Sequence, residues 1–149
     1  MTSSTDTAVR RAHSVPSLPT ARRHRGQVAR WALANGHLVQ RDALAAIVAV
    51  RLDASSATID LRWTLADVER VLWGLAPAWC ASQQVAVPDG LAVTLGTYLR
   101  YLSAHRLLGP GSDPIAALRR AATEQQSGAQ RSRARHPAAG RPAPVLPIC

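Results

Sequence analysis

Cys80 and His105 offer a thiol and an imidazole, the two groups of a cysteine nucleophile and its base. No Gly-rich elbow flanks Cys80, so a buried, inert thiol is its expected role. His37, Cys80 and His105 are all metal-ligand types. Zinc ligands usually come in pairs two to five residues apart, and these three are isolated singles. Asp67 and Glu69 are neighbouring carboxylates, but a two-residue spacing on a helix points them apart. Asp67 is better placed as a first-turn acid favoured by the helix dipole and able to pair with Arg70. Trp63, Trp73 and Trp79 could form an aromatic platform. The chain has no Phe, so Trp and Tyr are needed to fill the core, and packing is their expected role. No P-loop, G-x-G-x-x-G or H-E-x-x-H motif is present. The chain is therefore expected to hold no catalytic, cofactor or metal site and to be no enzyme.

Charge is the other chemistry. The 149 residues carry a formal charge of +9 from 18 Arg and no Lys, which invites a nucleic-acid reading. Its distribution tempers that. Residues 1–30 hold Arg10, Arg11, Arg22, Arg23, Arg25 and Arg30 against one acid, and residues 127–149 hold Arg131, Arg133, Arg135 and Arg141 against none. Between them, eight Arg meet eight acids, and the body is neutral. These ten Arg are the candidate phosphate contacts, for salt-sensitive binding with little sequence selectivity. The alternative source of the excess is composition, since no Lys, no Phe and 28 Ala suit a GC-rich genome.

The longest clean apolar run, Ala43 to Val50, is far short of the roughly 20 residues of a spanning helix. No apolar core follows Arg10-Arg11 or Arg22-Arg23, which argues against an export signal. Two cysteines make no disulfide framework. The cytoplasm is the expected compartment.

Hydrophobic spacing supplies the elements that must position these residues. Residues 1–19 are rich in Ser, Thr and Pro and read as a disordered tail. From Thr20 the pattern turns helical, with Val28, Trp31 and Ala32 on one face and Asn35-Gly36 as the stop. Residues 41–53 are favoured as helix for their Ala content. A hairpin at about 46–63, with Asp53 to Ser56 as its loop, is the α+β alternative. Thr64 caps the next helix with Asp67 at capping-box spacing, and Pro77 ends it. Pro88 opens a long helix closed by Leu108-Gly109-Pro110. Asp113 and Pro114 then start the last helix, and Gly128 begins an Arg- and Pro-rich tail over residues 127–149. The expected fold is mainly α, a small bundle of four or five helices over residues 20–126 between disordered basic tails.

One stretch resembles a family. Arg62-Trp63-Thr64, Asp67-Val68, Val71-Leu72-Trp73, Ala76-Pro77 and Trp79-Cys80, then Tyr98 to Leu102 and Leu107 to Pro114, are similar to a recurrent pattern in uncharacterised actinobacterial helical proteins. The match covers roughly residues 62–119. The resemblance implies a high-GC bacterial, cytoplasmic, mostly helical protein and implies no activity.

Two functions remain. One is a non-catalytic helical domain acting through an unknown protein partner, possible only with an exposed apolar patch. The other is nucleic-acid binding through the Arg-rich tails, with or without a helix-turn-helix built from the first two helices.

Overall fold

The computed structural model describes residues 19–53 and 56–135. The expectations for residues 1–18, 54–55 and 136–149, including Arg10, Arg11, Arg141 and most of both tails, lie outside the described residues. The described chain is mainly α. Its helices are α1 (Pro19–Ala34), α2 (Arg41–Val50), α3 (Leu65–Arg70), α4 (Ala76–Ser82), α5 (Leu91–Ala104) and α6 (Ile115–Arg135). A π-helical turn, Val71–Leu75, joins α3 to α4. A two-strand hairpin, β1 (Leu52–Asp53) and β2 (Thr58–Ile59), lies between α2 and α3 with Leu52 paired to Ile59.

Each element follows from local chemistry. Val28 and Ala32 are buried on α1, and Gly36 ends it with φ of +68°, a left-handed turn that suits glycine. On α2, Ala43, Leu44, Ala46, Ile47 and Val48 are all buried. Thr64 completes the expected capping box with Asp67, its hydroxyl accepting from Asp67 N–H and the Asp67 carboxylate accepting from Thr64 N–H. Helix α5 crosses the centre and packs against α1, α2 and α6. Leu95, Tyr98, Leu99 and Leu102 are buried there with Trp63, Ile47 and Leu118.

The boundaries depart from expectation in five places. Residues 41–63 hold both a helix and a hairpin: α2 stops at Val50 because the chain turns extended at Leu52 to pair with Ile59. Pro77 does not end its helix. The π turn, closed by the bond from Ala76 N–H to the Val71 carbonyl, widens the backbone just where a proline lacks an N–H and crowds the preceding turn. Pro88 does not open α5, which begins at Leu91 after Gly90. Asp113 uses its carboxylate across the fold, accepting from Leu65 N–H at 2.7 Å. Gly128 does not start a tail, since α6 runs through it to Arg135. One glycine among Ala, Gln and Arg costs less than those neighbours favour, and cations near a helix C-terminus suit its dipole.

The segment from Leu61 to Leu65 is laced to residues 109–113. Gly109 N–H donates to the Leu61 carbonyl and Asp113 N–H to the Trp63 carbonyl, each at 2.8 Å. Ser112 Oγ accepts from Trp63 N–H and donates to the Gly109 carbonyl. A Cβ on Gly109 would lie 3.0 Å from the Arg62 backbone nitrogen, so any other residue would push the two segments apart by a few tenths of an ångström. Trp63-Thr64 and Gly109 to Pro114 thus form a structural seam.

Candidate functional site

Arg51 gathers the acids nearest to it. Its side chain is 9% exposed, and its guanidinium carbon lies over the Trp63 ring, 4.5 Å from the centroid. It pairs with Asp60 at 2.9 Å and Asp67 at 3.5 Å and donates to the Arg62 carbonyl. Burial pushes the Asp67 carboxyl up, but hydrogen bonds from Thr64 and the Arg51 and Arg70 guanidiniums outweigh it and hold its pKa below the usual value. The Asp67–Arg70 pair expected from the sequence is present at 3.6 Å. Glu69 is exposed and forms no ion pair with Arg51 or Arg70. This cluster ties the hairpin to α3, a structural task.

The other chemistry-bearing residues are dispersed. Cys80 is buried beside a cavity of about 320 Å³ shared with Asp42 and Trp79. Burial and the Asp42 charge push its thiol pKa up, against nucleophile chemistry. His105 packs 4.5 Å from Tyr101 instead, and His37 packs 5.3 Å from Trp31. Among the described residues, no three His, Cys, Asp or Glu are placed to hold a metal. The three tryptophans form no platform: Trp63 is in the core, Trp79 is half-buried, and Trp73 is exposed with its indole N–H on Gln125.

His24 was not legible as special. It sits on α1 with Nε2 2.9 Å from the Tyr98 hydroxyl, edge-on to Tyr98 and Tyr101. Burial lowers its pKa and raises that of Tyr98 well above the ordinary phenol. A depressed imidazole means that the unfolded chain binds the proton more readily. The His24 contribution is present above the unfolded value of about 6.5 and is lost as pH falls from there through the lower folded value. Thermal melts should show Tm falling from pH 7.5 to pH 5, with a shallower fall in His24→Gln. An unchanged slope would remove His24 from the account.

The largest described groove lies between α1, the 35–40 loop and the start of α2, with a volume of about 740 Å³. Leu33 and Leu38 line it and are 83% and 78% exposed. Leu33 lies on the face of α1 opposite Val28 and Trp31, so the core has no use for it. Arg22, Arg25 and Arg41 also line the groove, and no Asp or Glu does. None of the three makes an ion pair among the described residues. Gly26 opens the wall: it is mid-helix, and a Cβ there would meet nothing within 4 Å. Glycine inside a helix costs about 0.5–1 kcal/mol relative to alanine, and packing does not require it here.

The candidate Arg residues thus divide. Arg22 and Arg25 join Arg41 at the groove. Arg23 and Arg30 are exposed elsewhere on α1. Arg131, Arg133 and Arg135 belong to the last turns of α6. Helix α2 leaves chiefly Arg41 and Asp42 exposed, too little for a base-reading helix. No described helix is long and apolar enough to cross a membrane. No protein-family model matches the chain, and no curated protein or solved structure matches it significantly.

Proposed function

We propose that the helical body is a non-catalytic protein-interaction module of the cytoplasm, and that the α1–α2 groove is its docking surface. The carrying observation is that Leu33 and Leu38, the two most exposed large apolar side chains described, line one groove. Isolated exposed leucines are ordinary, whereas apolar side chains grouped in a concave site mark a contact surface. The arginine rim sets the occupant's chemistry. Three guanidiniums without a carboxylate among the lining residues suit an acidic amphipathic segment, a partner helix with leucine-like anchors and flanking Asp or Glu.

Charge elsewhere supports the same occupant. Asp60 and Asp67 are committed to Arg51 and Asp113 to Leu65 N–H, so these acids do not neutralise the groove. Arg22 lies in the first turn of α1, which holds no acid. A cation there opposes the helix dipole, so its charge does not serve α1 itself. Nucleic acid would also meet these arginines, but it has no use for two apolar side chains between them.

Gly26 gives the test. A designed acidic amphipathic peptide of about 15 residues, long enough to hold a helix on binding, serves as probe. Gly26→Trp fills the groove from a position where the added side chain meets open space. It should weaken peptide binding at least tenfold without lowering Tm. Unchanged affinity in a folded Gly26→Trp protein would overturn the groove as the docking surface.

A further inference from the structure

A second cavity, of about 260 Å³, opens between the 36–38 loop, α5 and α6. It shares His37 and Leu38 with the docking groove, but its other walls are α5 and α6 rather than α1 and α2. Arg100 on α5 and Arg119 on α6 line it, and no Asp or Glu does. Neither arginine makes an ion pair among the described residues. Thr97 and Thr123 are also at its wall, but their hydroxyls already donate to the Leu38 and Arg119 carbonyls. The donors left are therefore two guanidiniums, each a fork of N–H groups, and the His37 ring. That set has a surplus of donors and positive charge.

Gly96 is the second observation. It stands in the interior of α5 and lines the cavity, and a Cβ there would meet nothing within 4 Å. Helix stability disfavours glycine at such a position and no packed neighbour demands it. What the missing side chain keeps is the space itself.

We propose that this cavity is an oxyanion site that takes a phosphate group, held between the forks of Arg100 and Arg119 with His37 at its edge. Guanidinium forks match phosphate oxygens in pairs, and the small volume fits one such group. The site does not depend on the peptide groove. Free phosphate and a phosphorylated side chain share the chemistry, and the experiment separates them.

The full chain is titrated with inorganic phosphate while backbone amide resonances are followed, beside chloride at matched ionic strength. Phosphate should give saturable shifts at Gly36, His37 and Gly96 that chloride does not. Arg100→Gln and Arg119→Gln should each weaken binding about tenfold and leave affinity for the groove peptide within twofold. Gly96→Leu should abolish phosphate binding, and Gly96→Ala should weaken it while raising Tm by about 4 °C. Tighter binding of phenyl phosphate would support the site as one for a phosphorylated side chain, and weaker binding as one for the free ion. Shifts no larger than those with chloride, or shifts that survive in the Arg100→Gln, Arg119→Gln double variant, would overturn the proposal.

Discussion

Replacing Arg51 by alanine should cost about 3 kcal/mol of stability, near the lower end for breaking a buried ion pair. The loss has three parts. Asp67, 15% exposed, is left without its strongest cationic partner. The Arg62 and Asp60 carbonyls each lose a donor. Trp63 loses the guanidinium that covers its face. For a body of this size the shift in Tm is roughly 10 °C or more. Arg51→Lys keeps the charge but not the planar fork or the stacking, and should recover less than half of the loss. Adding Asp67→Asn to the alanine variant should cost less than the two single changes together, because the carboxylate no longer needs its cation. Denaturant unfolding of the unaltered chain, the three single variants and the double variant decides it. A loss below about 1 kcal/mol would place Arg51 with ordinary surface ion pairs.

Trp63→Ala should be at least as damaging. The ring is fully buried and packs edge-on to Tyr98 at 6.1 Å. Truncating a buried Trp costs about 3–5 kcal/mol, and here it also removes the surface on which Arg51 rests. Trp63→Phe keeps most of the ring and should cost less than about 2 kcal/mol. Trp73→Ala should cost less than either, since Trp73 is 58% exposed and held mainly by Gln125. Equal losses at Trp63 and Trp73 would contradict the packing described. The comparison separates a core-forming Trp from a surface one.

Parts of the structure set by neighbours a few residues apart were readable in the sequence. The Thr64–Asp67 box and the Asn35-Gly36 stop are complete within four residues, and both form. Helix α2 and the hairpin were competing expectations because Leu44, Ile47 and Val48 fit the helical period while Val48, Val50 and Leu52 fit the extended one; the chain is helical up to Val50 and extended after it. The Arg51 cluster was not readable. Its partners lie 9, 11 and 16 residues away, across a turn whose shape no local pattern specifies. Pro77 misled because a π turn is a tertiary accommodation, without a composition signal of its own. The groove left traces that spacing alone did not assemble. Leu33 falls off the apolar stripe of α1, Gly26 stands inside the helix, and four arginines stand on α1 without an acid. Leu38 joins them only when the 35–40 loop is pinned to α5 by Thr94 and Thr97.

In the proposed docking surface, leucines and not arginines alone hold the partner. The most direct measurement compares Leu33→Ser, Leu38→Ser with the unaltered full chain, in binding to the acidic amphipathic peptide and to duplex DNA at low and moderate salt. Apolar anchors in a protein contact each contribute on the order of 1 kcal/mol or more. The double variant should therefore bind the peptide at least tenfold more weakly at both salt concentrations. Any DNA binding should fall with salt and be the same for both proteins. Peptide affinity that survives the loss of both leucines and tracks salt as steeply as DNA binding does would contradict the claim, and would make this a basic surface for nucleic acid.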